Sequence, residues 1–324
     1  MSSKVPYTRK EAKNWAKETM IDWYDCPLTP MTKDFKIDEK GLRDNVEAYV
    51  EMGESALVLG GFLAECWNVT LSEWMRYHEV IAEANNGRLP LWTIILDPSV
   101  HQALEKLAFV EKLGFVGAEV LTPMVQLRTD EEIYDYFKYL SDRSNLALVF
   151  YRSAVTGKLI SFDLSRKLSD LEMIVGMKQG SSNHGDSIKL RKMMRNDFVV
   201  TDPVETYWLD ELRQGGQVIY GAFNHIVYGK KRNLLEEYTS LARAGKWEAA
   251  YQKRMELEPV RDLLDQVMFI PTFTTFTYAT TLGMMKVWYE AIGLAAGPIR
   301  PPIRQVSQEK REWLINELKR VGVI

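Results

Sequence analysis

Cysteine, histidine and charge imbalance are all scarce in this chain, and each scarcity removes a class of function. Its 324 residues hold two cysteines, Cys26 and Cys66, 40 positions apart, which is neither a disulfide framework nor a zinc-ligand spacing. The four histidines (His78, His101, His184 and His225) form no HxH or HxxxH pair, so no metal centre is expected and a reducing cytoplasm is the expected compartment. A net charge of -3 gives no electrostatic reason to expect nucleic acid or an acidic membrane surface as partner. No run approaches the roughly 20 apolar residues of a membrane span. The polar start MSSKVPYTRKEAKNWAKETM lacks the apolar core of a secretion signal. No GxGxxG follows the first strand-like segment, which removes the dinucleotide fingerprint of a doubly wound sheet.

What the chain has is alternation. Short apolar runs such as MIDWYDCPL (20–28), SALVLGG (55–61), GAEVLTP (117–123), LALVFY (146–151) and GQVIYGAF (216–223) each precede an amphipathic stretch of helical period. Eight such units follow one another, and continuous apolar strands with helices between them read as buried parallel strands joined by right-handed crossovers. The expected class is α/β: a (β/α)8 barrel over residues 21–243, preceded by an extension (1–20) and followed by helices (244–324). An open sheet is the alternative. TLSEWMRYHEVIAEA opens with a Thr70/Ser72–Glu73 capping pattern, and KWEAAYQKRMELEPVRDLLDQVM and PTFTTFTYATTLGMMKVWYEAIG each read as one helix.

In such a barrel the polar residues at the carboxyl ends of strands face one pocket. That places Thr29 at the end of the first strand, Gly60–Cys66 after the second, Tyr151, Lys178 and Asp202 at the fifth to seventh, and Tyr220 with the Gly221 turn at the eighth. IVGMKQG runs a greasy strand straight into Lys178, for which two readings exist. The amine snorkels to water along its stem, or it ends the strand inside the barrel, where burial lowers its pKa and makes it a Schiff-base nucleophile. Tyr151, one strand away, is either a lining phenol or the proton carrier for that amine.

LVFYRSAVTG followed after 27 positions by the lysine of IVGMKQG, together with CPLTPMTKDFKIDEKGL and GGFLAECWNVTLSEW, resembles the dihydrodipicolinate synthase/N-acetylneuraminate lyase family over nearly the whole chain. GGFLAECWNVT and AAGPIRPPI most resemble its benzylidenepyruvate hydratase-aldolase branch. The resemblance implies that Lys178 forms an imine with pyruvate or another 2-oxo acid and that Tyr151 transfers protons. It sets the substrate carboxylate beside Gly61, Phe62 and Leu63, needs no metal or organic cofactor, and implies a homotetramer of barrel dimers. Phe62 and Leu63 replace the family's hydroxyl-bearing pair, and Met124-Val125 stand where a turn usually carries tyrosine. Phe62, Leu63, Met124, Val125 and Trp67 are therefore either wall residues for an apolar or aromatic aldehyde or packing behind the site. Arg152 either clamps an anion or sits on a solvated loop, the loop being the expectation. Glu65 is expected to accept backbone N–H bonds within its turn. Asp202 and Glu205 either bind a polar substrate tail or cap the following helix, the cap being the expectation. The expected reaction is reversible aldol cleavage of a 2-oxo acid to pyruvate and an aldehyde, with hydration of an unsaturated bond as a further step. A sugar-acid dehydratase using the same imine, and an inactive barrel that only binds a 2-oxo acid, are the alternatives.

Overall fold

The computed structural model describes residues 5–123, 126–180 and 183–324. Met124 and Val125 lie outside the described residues. Eight strands form where the apolar runs predict them: β1 (Asp22–Asp25), β2 (Ala56–Leu59), β3 (Leu91–Ile95) and β4 (Gly117–Val120), then β5 (Ala147–Arg152), β6 (Ile174–Gln179), β7 (Val199–Thr201) and β8 (Val218–Ala222). All ladders are parallel, in the order β7-β6-β5-β4-β3-β2-β1-β8. Thr201 Oγ1 donates to Val218 O at 2.6 Å across the remaining seam, between β7 and β8, and so ties the nearly closed barrel. Of the strand residues only Asp22 reaches solvent, as expected for strands covered on both faces.

Helices fill the crossovers. They are α1 (Ala12–Thr19), α2 (Glu39–Met52), α3 (Leu71–Asn85), α4 (Val100–Lys112) and α5 (Asp130–Arg143), then α6 (Phe162–Ser169), α7 (His184–Met193), α8 (Trp208–Arg213) and α9 (Arg232–Arg243). Thr70 and Glu73 cap α3 reciprocally, and Thr129 with Glu132 does the same for α5, satisfying amide donors that a helix start leaves unpaired. The N-terminal α1 closes the barrel floor. Its Lys13 amine donates to the carbonyls of Ser169, Leu171 and Ile174, and Trp15 stacks on Trp92, itself packed on Tyr24 and Tyr220 in the interior.

Beyond the barrel come α10 (Trp247–Met255), α11 (Glu258–Leu264), a π-helical turn (Asp265–Phe269), α12 (Ile270–Thr275), α13 (Leu282–Ala291) and α14 (Gln308–Arg320). The two long helices predicted here are each broken. Pro259 restarts the first at α11, because proline suits a first helical turn and not an interior. Phe276 ends α12 with φ 52°, in the left-handed region, amid β-branched threonines that favour helix weakly.

Glu205 corrects another expectation: it caps nothing. Its buried carboxylate accepts from Arg261 Nε and Nη2 at 2.7 and 2.9 Å and from the hydroxyls of Tyr228 and Tyr238. One ion pair thus joins the β7 loop, the segment after β8 and α11.

Candidate active site

Tyr151 and Lys178 are register partners on β5 and β6. The Lys178 amine sits 4.4 Å from the centre of the Tyr151 ring and donates to the Gly221 carbonyl at 2.8 Å. It also lies 3.4 and 3.5 Å from the two carboxylate oxygens of Glu119, which points inward from β4. Lys178 is 5% exposed and Glu119 1%. Gly221, with φ 78°, makes the room: a Cβ there would stand 2.7 Å from the amine nitrogen. Gly180 does the same for Tyr151, whose ring would come within 2.4 Å of a Cβ.

The amine differs from expectation. Burial is the largest influence and would by itself depress its pKa. The Glu119 carboxylate, together with Tyr278 and Cys26, outweighs burial and holds it above the ordinary lysine value, which favours an ammonium at rest. Burial raises the pKa of Glu119, with Lys178 opposing. Burial also pushes the Tyr151 phenol up to about 12 against hydrogen bonds from Ser153 and Tyr278.

Tyr278 lies in the bend that the helix break creates. Its hydroxyl is 3.3 Å from that of Tyr151, and its ring stacks on Phe62 at 5.7 Å. Above these phenols opens a cavity of about 280 Å³. Leu63 from the β2 turn and Met268, Phe269, Ile270 and Phe273 from the helical extension give it apolar walls; Asp202, Asp265 and the buried Thr272 hydroxyl add polar points. Among its described lining residues there is no lysine or arginine.

The remaining predicted residues fall in several places. Phe62 reaches the site through Tyr278, and Gly61 packs beneath it on Ile94, which a Cβ would meet at 2.4 Å. Thr29 lies beyond the end of β1, and its hydroxyl braces the turn by donating to Ala64 O at 2.6 Å instead of facing the cavity. Tyr220 packs deeper in the barrel, its ring 5.8 Å from Tyr24. Arg152 is not on a solvated loop: its buried guanidinium bonds Ile160 O, Gln179 and Asp186. Trp67 is exposed and donates to Phe62 O. Asp202 lines the cavity while accepting from Val204 N–H and Ser187. Met124 lies outside the described residues.

The β2 turn is held from the far end of the chain. Glu65, at φ 56°, pairs with Lys286 at 2.6 Å and accepts the Arg300 N–H at 2.9 Å, so its partners come from the C-terminal part and not from its own turn. The Arg300 guanidinium grips Glu73 in two bonds and the Phe35 carbonyl. This is the work of the arginine in AAGPIRPPI.

Glu119 and Tyr278 were not anticipated. A carboxylate inside an otherwise apolar, fully covered strand is the signal that marks the first. Tyr278 has none, since its place depends on where a helix breaks.

The sequence profile of the dihydrodipicolinate synthetase family matches residues 23–321. The 4-hydroxy-tetrahydrodipicolinate synthase of Methanosarcina acetivorans is 28% identical over 301 residues, covering 92% of this chain and 97% of that protein. That of Methanopyrus kandleri is 25% identical, covering 92% and 95%. The dihydrodipicolinate synthase structure from Thermotoga maritima superposes with a TM-score of 0.80 at 22% identity, over 94% of this chain and all of that one. A profile match across this span, with an inward lysine on β6 of an eight-stranded barrel, settles the class: the chain belongs to the dihydrodipicolinate synthetase family of lysine Schiff-base lyases.

Proposed function

We propose that the protein catalyses reversible aldol cleavage of a 2-oxo acid to pyruvate and an apolar or aromatic aldehyde. Lys178, as the free amine, attacks the C2 carbonyl; loss of water gives an iminium that accepts the electron pair of the C3–C4 bond, and an enamine results. Tyr151, a neutral phenol, relays the proton of the C4 hydroxyl, accepting it as its own O–H proton passes by way of the Tyr278 hydroxyl, 3.3 Å away, to water. Hydration of an unsaturated precursor would supply that C4 hydroxyl. The Leu63 and Ala64 backbone N–H groups, which make no hydrogen bond among the described residues, face the task of holding the substrate carboxylate without hydroxyl help.

The observation that carries this reading is the cavity above Tyr151, walled by Leu63, Met268, Phe269, Ile270 and Phe273 with no described lysine or arginine on its lining. The named relatives are 4-hydroxy-tetrahydrodipicolinate synthases. An aldehyde with a second carboxylate would find no cation here, since Arg152 is bound to Asp186. Asp202, Asp265 and Thr272 favour one second reading, a sugar-acid dehydratase, because together they offer hydroxyl-binding groups. Borohydride quenching with pyruvate should add mass at Lys178, and product analysis should find a released aldehyde. Absence of any adduct with 2-oxo acids defeats both readings; an adduct with loss of water and no aldehyde selects the dehydratase. A homotetramer belongs to the same proposal and is checked by sedimentation. One structurally similar protein (TM-score 0.80) is a monomeric dihydrodipicolinate synthase variant.

A further inference from the structure

We propose that Glu119 is a catalytic residue that takes the proton from the Lys178 ammonium and returns it to the departing water during imine formation. The inference rests on the Schiff-base reading above and supplies what that reading lacks, a base for an amine that is charged at rest.

The first support is the contact itself. Among the described residues the carboxylate of Glu119 has Lys178 as its hydrogen-bond partner, at 3.4 and 3.5 Å, the outer limit of a hydrogen bond. A pair kept only for stability is expected short and fully satisfied, because a loosely paired buried charge is costly. The second support is the company the amine keeps. Cys26 beyond β1, Tyr151 on β5, Tyr220 on β8 and Tyr278 in the helix bend face this part of the interior, along with the Gly221 carbonyl. Burial drives the Cys26 thiol and all three phenols upward, so they stay protonated near neutrality. Asp202 lies toward Tyr151 and is already engaged by Val204 N–H and Ser187. Glu119 is therefore the carboxylate within reach of the nitrogen, and burial, which raises its pKa, makes it a better proton acceptor than a surface glutamate.

The steps balance. Lys178–NH3+ and Glu119–COO− exchange one proton to give the free amine and Glu119–COOH. The amine adds to the ketone carbon, and the nitrogen's surplus proton passes through Tyr151 to the alkoxide, leaving a neutral carbinolamine. Glu119–COOH then protonates the hydroxyl, the C–O bond breaks with its electrons leaving on water, and the nitrogen lone pair forms the iminium. The carboxylate is regenerated and net charge is conserved.

Glu119→Gln separates this role from simple charge pairing. Without the carboxylate, burial lowers the Lys178 pKa, so the acid limb of imine formation moves to lower pH in either case. Proton return demands in addition that the plateau rate fall by about 10²–10⁴-fold, the usual worth of a positioned acid–base group. The rate is read from borohydride-quenched time courses with pyruvate by intact mass, beside a thermal melt of each protein. A folded variant with a fallen plateau supports the proposal; an unchanged plateau overturns it even if the limb moves. If Glu119→Gln does not fold, Glu119→Asp decides. It keeps the charge but withdraws the oxygens from a contact already at its limit, so imine formation should slow at least about tenfold with the limb in place, a misplacement effect; the parent rate there overturns the proposal. An adduct missing from the parent enzyme would instead defeat the Schiff-base reading itself.

Discussion

Two of the ion pairs buried among the described residues, Glu205–Arg261 and Glu119–Lys178, are built differently. Glu205 and Arg261 meet in a two-point contact at 2.7 and 2.9 Å, and two tyrosine hydroxyls complete the carboxylate. Lys178 and Glu119 meet at 3.4 Å beneath a cavity, and the carboxylate has one described partner. Guanidinium geometry suits a fixed fork, whereas a lysine amine is a flexible point charge able to lose its proton. Burial cost is the same in kind for both; only the first pair returns it fully in hydrogen bonds. A satisfied pair marks structure, and a loose one beside a cavity marks chemistry.

That contrast breaks in measurable ways. The largest effect should come from the loose pair: Lys178→Met should lower turnover by about 10⁵-fold or more, as loss of a covalent nucleophile does, with no borohydride adduct and little change in melting. A thermal midpoint that collapses instead would make Lys178 a structural residue. For the tight pair the expectation reverses. Glu205→Gln leaves Arg261 buried and charged without its carboxylate and should cost about 3–5 kcal/mol in urea unfolding, while the adduct at Lys178 still forms in the folded fraction. An unchanged urea midpoint would remove Glu205 as the tie between barrel and α11.

The same pair carries a pH signature. Burial opposes the charge of Glu205, but Arg261 and the two hydroxyls hold its pKa below the ordinary glutamate value. A depressed folded pKa gives stability that is complete above the unfolded value of about 4.3 and is lost as pH falls through the folded one. The gap between parent and Glu205→Gln should therefore be widest near pH 7 and narrow steadily below pH 4; a gap independent of pH contradicts the assignment. The smallest effect belongs to Tyr278→Phe. It removes one neutral hydrogen bond of about 1 kcal/mol at the Tyr151 hydroxyl, so kcat should fall about five- to tenfold with the ring stack on Phe62 intact. Full activity would confine Tyr278 to a packing role.

The barrel was legible because its signal is local and repeated. Apolar runs such as ALVFYR and IVGMKQ can be covered on both faces only by flanking helices, and capping residues such as Thr70 with Glu73 mark the starts. The strand-end places of Lys178 and Tyr151 were legible for the same reason, since strand ends in a parallel barrel share a mouth, whereas the choice between their two readings came from the family resemblance. Arg152 was misread because a loop charge and a buried one look alike until Asp186 and Gln179 are seen beside it. Thr29 was misplaced because β1 stops at Asp25 and the chain then turns to brace Ala64. The two broken helices escaped because one broken and one continuous helix share nearly the same apolar period.

By itself the amino-acid order determined the alternation of strand and helix and the placing of Lys178 and Tyr151 at adjacent strand ends, both consequences of spacing along one chain. The inward, imine-forming lysine was what the family resemblance implied. The state of that lysine was decided only in three dimensions, where Glu119, 59 positions away, sets its charge and Tyr278, from beyond the barrel, meets its phenol. Spacing fixes which face a side chain presents, but charge and proton affinity depend on what other segments bring within a few ångströms in a medium without water, and no periodicity records that distance.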